Sequence, residues 1–113
     1  MNKCSDRIYE SWDSRKADLW ELLERIRRGS DKAMTEMLEY PLWESEVSND
    51  GETYYLYQIS CGGPQEEIRF HHYEDCKKVW KIEFCLFDWS DGAKILITED
   101  KVAKALWDFL SEM

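Results

Sequence analysis

Apolar positions along this chain follow a helical period, then a period of two, then a helical period again. Leu19, Leu22, Leu23 and Ile26 recur at helical spacing with Glu21, Glu24, Arg25, Arg27 and Arg28 between them, which predicts a helix over 6–28. Ile8 and Trp12 fall on that helix or on a separate first turn, since Ser14 has the chemistry to cap a fresh start. Gly29 reads as the stop, because glycine takes the left-handed cap and Arg27 and Arg28 suit the negative end of a helix. Ser30 or Asp31 then caps a second, short helix with Ala33, Met34, Met37 and Leu38 on its apolar side, ended by Pro41.

From Leu42 the side chains alternate. Trp43, Ser45 and Val47 stand against Glu44, Glu46 and Ser48 over 42–48, and Asn49-Asp50-Gly51 is a hairpin signal leading into a return strand over 52–61. Gly62-Gly63-Pro64 breaks the chain before a strand over 65–72 with Ile68, Phe70 and His72 on one side. A long strand over 78–88 places Trp80, Ile82, Phe84 and Leu86 on one face, and Ala93–Ile97 follows a loop over 88–92. Thr98 caps the last helix, with Glu99 and Asp100 at its positive end and Val102, Ala105, Leu106, Phe109 and Leu110 as its apolar stripe. The predicted class is α+β: two N-terminal helices, an antiparallel meander sheet of about five strands, and a C-terminal helix packed on the sheet.

Length and composition confine this plan to one domain over 1–113. The 113 residues are 43% apolar, with six Trp, six Tyr and four Phe, enough for one sheet covered by helices without a disulfide or metal staple. The apolar runs are too short to span a bilayer, and the opening Met1-Asn2-Lys3-Cys4-Ser5-Asp6 lacks the apolar stretch of a secretory leader. Cys4, Cys61, Cys76 and Cys85 have no framework or C-x-x-C spacing, so the expectation is a cytoplasmic protein with reduced thiols and no metal.

Charge changes the picture more. The formal net charge is −9, and most of it lies on one segment: residues 42–76 hold Arg69 as their one basic residue against Glu44, Glu46, Asp50, Glu52, Glu66, Glu67, Glu74 and Asp75. With no basic stripe, direct nucleic-acid binding and an anionic membrane surface are disfavoured, whereas a basic protein surface suits this segment. A two-residue loop at Asp50-Gly51 would set Glu46 opposite Tyr55 and Glu44 opposite Tyr57, making one face of tyrosines interleaved with carboxylates. The plainer alternative is that the tyrosines line the core and the glutamates are a solvated edge.

Candidate chemistry is thin. Gly62 and Gly63 offer backbone amides to an anion, but no helix start follows and Glu66 and Glu67 would repel phosphate. Asp88 and Asp91, with Asp100 nearby, lack the spacing of a calcium loop and fit ordinary turn chemistry. His71 and His72 are strand neighbours and point to opposite faces, and a Cys–His pair with Cys61 or Cys85 needs contact that strand thiols seldom make.

Ile59-Ser60-Cys61-Gly62-Gly63-Pro64, a following strand, and Phe87-Asp88-Trp89-Ser90-Asp91-Gly92-Ala93 together resemble a group of small uncharacterised proteins from phages, prophages and plasmids. In these a strand ends in a Gly-Gly-Pro hairpin and a later one in an aromatic-Asp-Trp loop before Gly-Ala. The resemblance covers residues 54–97, less than half of the chain. It implies a mobile-element origin and brings no activity or site with it.

Two readings of function follow. The first is an acidic interaction module, an inhibitor of a host nucleic-acid-handling defence protein, contacting a basic surface through Glu44, Glu46, Asp50, Glu52, Tyr55, Tyr57, Glu66 and Glu67. An edge strand over 42–48 also offers a route to a homodimer. The second is a small-molecule binder for a nucleotide signal, using Gly62, Gly63, Arg69 and Trp89, with few cations to hold an anion. No cofactor is expected. An enzyme built on Asp88, Asp91 and His71 or His72 ranks last, because no nucleophile motif accompanies them.

Overall fold

The computed structural model describes residues 3–40, 42–44, 53–60, 64–73 and 78–112. The first helix, α1 (Cys4–Arg27), runs through Ser14 without a fresh start and buries Ile8, Trp12, Leu19, Leu22 and Leu23 along one stripe. Two carboxylates hold its N-terminus. Asp6 accepts the Lys3 amide at 3.3 Å, and Asp91, far away in sequence, accepts the Cys4 amide at 2.6 Å. Both satisfy amides that a helix start leaves without partners. Gly29 stops the helix at a φ of 90°. Ser30 Oγ then accepts the Ala33 amide at 3.1 Å and opens α2 (Asp31–Glu39), which buries Ala33 and Met37 and leaves Met34 and Leu38 exposed.

The sheet is an antiparallel meander in sequence order: β1 (Leu42–Glu44), β2 (Thr53–Ser60), β3 (Gln65–His72), β4 (Val79–Asp88) and β5 (Asp91–Leu96). β1 is a three-residue stub on one edge, so the four longer strands carry the sheet. The last helix, α3 (Lys101–Ser111), completes an α+β chain with helices at both ends and an antiparallel sheet between them. Its cap corrects the sequence reading. Asp100, not Thr98, accepts the Val102 amide at 2.8 Å and the Ala103 amide at 3.3 Å. Thr98 instead accepts the Ile82 amide at 3.1 Å, because it is still beside β4 when the helix begins.

One face of the sheet meets the helices. In register across it lie Tyr57, Ile68, Phe84 and Ile95, and next to them Tyr55, Phe70 and Ile82. From α1, Trp12 packs on Phe84 with ring centroids 5.2 Å apart; from α3, Trp107 lies 5.4 Å from Tyr55 and 4.9 Å from Phe70. From α2, Met37 offers its carbonyl to the Tyr57 hydroxyl, which donates at 2.6 Å. Asp100 also accepts from Trp12 Nε1 at 3.3 Å, so the residue that caps α3 ties it to α1.

Two strand predictions are corrected by register. Glu44 stands opposite Tyr55 and Leu42 opposite Tyr57, two residues away from the pairing that a two-residue loop would give. A shift of two preserves the face, so the tyrosines stay together but move against different neighbours. In β4 the ladder slips between His71 and His72, which pair with Lys81 and Val79 and leave Trp80 as the extra residue. Ile82, Phe84 and Leu86 therefore face the helices, while Trp80 leaves their row, lies 5.9 Å from the His71 ring and is 41% exposed.

Candidate functional site

The opposite face of the sheet carries no helix among the described residues, and its chemistry is different. Tyr54, Gln65, Glu67, Arg69, His71, Glu83, Cys85 and Phe87 alternate with the core residues and so project there. At its centre Glu67 is 1% exposed, although no helix lies over it. One carboxylate oxygen accepts from Gln65 Nε2 at 2.6 Å and the other from Arg69 Nε at 2.7 Å. The Arg69 guanidinium in turn lies 5.0 Å from the Tyr54 ring centroid and 5.5 Å from that of Phe87. The long side chains thus lie along the sheet and bury their own charges, which a buried carboxylate requires.

Gly92 assists this arrangement. It pairs with Phe87, and a Cβ there would come within 2.7 Å of the Phe87 ring, so the ring lies where only hydrogen leaves room. Toward the far end, His71 Nε2 and Glu83 Oε1 are 2.7 Å apart, with Trp80 and Tyr73 beyond, both exposed. Leu96, opposite Glu83 on the edge strand, is 68% exposed. Burial works against the Arg69 charge, but hydrogen bonding to Glu67 and the nearby Cys85 and Tyr54 outweigh it, and the pKa moves upward. Burial also pushes the Cys85 thiol up to about 12, past the lowering effect of Arg69. A thiol held in that form is a poor nucleophile.

The predicted contact residues are redistributed by these facts. Tyr55 and Tyr57 are on the helix-covered face, Tyr57 wholly buried with its hydroxyl taken, so neither forms an outer tyrosine–carboxylate surface. Glu66 is buried on that same side and pairs with Arg15 of α1. Glu67 is sealed on the other. Tyr57, Glu66 and Glu67 are thus buried with partners inside the molecule, and the half-buried Tyr55 stacks on His72 and Trp107. Glu44 is placed by register alone, and Glu46, Asp50 and Glu52 lie outside the described residues, as do Gly62, Gly63, Cys61 and Cys76.

The other candidates also separate. Arg69 is opposite Glu83, and Trp89 is six residues further along that strand and its turn, roughly 20 Å at ~3.3 Å per residue, so the two do not converge on one small ligand. Trp89 is fully exposed at a φ of 58°, in a turn where Arg7 pairs with Asp88 at 2.8 Å and Asp91 caps α1. The hydrogen bond from the Cys4 amide holds the Asp91 carboxyl below its ordinary value, against the raising effect of burial. With Asp100 capping α3, all three aspartates of the proposed cation site have structural partners. Among the described residues, no group of three or more His, Cys, Asp or Glu side chains is placed to hold a metal ion.

His71 and His72 divide between the faces as strand neighbours should, His72 stacking on Tyr55 at 4.7 Å. His71 is opposite Lys81 while Cys85 is opposite Glu67, about 13 Å along the strands at ~3.3 Å per residue, so no Cys–His pair forms there. An open groove of about 520 Å³ runs beside α1, lined by Arg7, Glu10, Ser11, Ser14, Arg15 and Glu66. Its two arginines are engaged by Asp88 and Glu66 and its charges are mixed. Among the described residues, no helix is long and apolar enough to cross a membrane. No protein-family model, curated protein or solved structure matches the chain.

Proposed function

We propose that this chain is a protein-interaction module that engages its partner through the helix-free face of the sheet. One observation carries the reading: Tyr54, Arg69 and Phe87 are locked in a stack over a buried carboxylate on a face that no described helix covers. Rigid aromatics and arginine lose little entropy on contact and dominate protein interfaces for that reason. Trp80 and Leu96 extend this face with exposed apolar surface.

The finer reading is an inhibitor that offers carboxylates to a basic groove of a nucleic-acid-handling defence protein. It now rests on Glu44, Glu46, Asp50 and Glu52, within the segment that carries most of the net charge. A tagged pull-down from a bacterial lysate separates the two surfaces. A protein retained by wild type, lost from a Trp80→Ala/Leu96→Asp variant and kept by a Glu46→Lys/Asp50→Lys/Glu52→Lys variant supports the sheet face. The reverse pattern, with capture falling steeply as salt rises, moves the contact to the acidic segment.

A further inference from the structure

We propose that Arg69 is a socket for a carboxylate of the partner, so that the helix-free face recognises an acidic protein segment. This rests on the interaction reading above and names the chemistry that the face would take. A guanidinium has five N–H donors, and the Glu67 bond uses the one on Nε. Among the described residues, the hydrogen bond from Nε to Glu67 is the one the Arg69 guanidinium makes, and the side chain keeps 19% of its surface exposed. Its Nη donors are therefore left for a partner while Nε is held.

What holds it fixes the direction of approach. Glu67 is anchored by Gln65 on its other oxygen, and the Tyr54 and Phe87 rings flank the guanidinium. Neutralising Glu67 alone would need a positive charge and no defined plane. A fixed plane with two parallel N–H groups matches the two oxygens of a carboxylate.

The surrounding charge agrees. The acids of this face are engaged, Glu67 by Arg69 and Glu83 by His71. Lys94, opposite Cys85, is exposed. Among the described residues, the accessible charge left beside Trp80 and Leu96 is the cation of Lys94, on a chain whose net charge is −9. That overall charge repels a polyanion such as nucleic acid at long range, whereas one carboxylate on a protein segment meets a local cation at contact distance.

The test is an NMR titration of the ¹⁵N-labelled protein, reading the Arg69 side-chain resonances, with the blocked tripeptide Gly-Glu-Gly as probe. Blocked Gly-Gln-Gly and inorganic phosphate serve as comparisons. The expected result is a saturable shift with the glutamate peptide in roughly the millimolar range, as suits one ion pair, and none with the glutamine peptide. Arg69→Lys keeps the charge but not the fork and should weaken binding about tenfold. Phe87→Leu keeps the guanidinium, loosens its plane and should weaken binding severalfold, which keeps the test open if the lysine variant is poorly folded.

An unmoved Arg69 resonance, equal shifts from both peptides, a stronger response to phosphate, or undiminished binding by both folded variants would overturn the socket. A captured partner that depends on Trp80 and Leu96 but not on Arg69 would overturn it while leaving the interaction reading in place. A partner indifferent to Trp80 and Leu96 would remove that reading, whatever the tripeptide does.

Discussion

Phe84 and Phe87 sit three residues apart on the same strand and meet different surroundings. Phe84 is fully buried on the helix side against Trp12, whereas Phe87 lies half-buried on the other side, over Gly92 and beside Arg69. The covered face hides apolar surface from water by bringing helices onto it. The open face hides charge by laying long side chains across one another. The first yields stability roughly in proportion to area, while the second yields little net stability but fixes side chains in place. A face of the second kind is suited to recognition.

The sharpest way to break this comparison is to truncate both phenylalanines. Phe84→Ala should cost about 3–5 kcal/mol, because it opens a cavity under α1. Phe87→Ala should cost about 1–2 kcal/mol, since its ring is partly solvated and leaves no enclosed void. Urea unfolding of the two variants measures both. Equal losses would mean that the open face is a second core.

The ionic centre gives the next largest effect. Arg69→Met leaves the Glu67 carboxylate buried without its cation and should cost about 2–3 kcal/mol, toward the low side for a buried pair because Arg69 keeps some solvent contact. Adding Glu67→Leu to Arg69→Met should recover most of that loss, as apolar replacements of whole buried pairs often do. If the double variant is as unstable as the sum of its parts, the pair contributes stability in its own right, and the contrast between the faces weakens.

A smaller effect is expected at the hairpin. Gly92→Ala would drive a methyl group into the Phe87 ring and should cost about 1 kcal/mol, while displacing Phe87 from Arg69. The Arg69 side-chain NMR signals report the displacement. Unchanged signals would show that the stack does not depend on this glycine.

The same contrast explains what the sequence reveals. Ile68 with Phe70, and Ile82, Phe84 and Leu86, announce the covered face by alternation, and Gly29 and Ser30 mark the break between helices through local chemistry. The open face is opaque to such reading. Glu67 there, like Glu66 on the covered face, looks like a solvated charge in the run Gln65-Glu66-Glu67, and the facts that bury the two are tertiary: Arg15 is 51 residues from Glu66, and the strand register aligns Cys85 with Glu67. Trp80 keeps the period-two pattern in sequence, but the slipped ladder at His71 and His72 turns it out. Thr98 and Asp100 are both acceptable caps, and the competition is decided by which one β4 already holds. Arg69 stands out as the lone cation of an acidic stretch, the one sequence signal that leads to this site.

Cys85 gives the finest test of how tightly the open face is closed. Its pKa is raised to about 12 from an ordinary 9.0, so the fold favours the neutral thiol. Below pH 9 the thiol is protonated in folded and unfolded chains alike, and its contribution to stability is fully present. As pH rises from 9 toward 12 the unfolded chain releases this proton and the folded chain keeps it, so stability falls through that window. Cys85→Ala should remove this part of the alkaline loss, and subtracting its pH–stability curve from that of wild type cancels the other titrating groups. At neutral pH the thiol should react with iodoacetamide only as fast as the sheet opens, and mild denaturant should accelerate the labelling. Rapid labelling of the native protein, or identical alkaline slopes for the two proteins, would show that water reaches Cys85 past Arg69. The guanidinium stack would then be a loose surface cluster instead of a preorganised one.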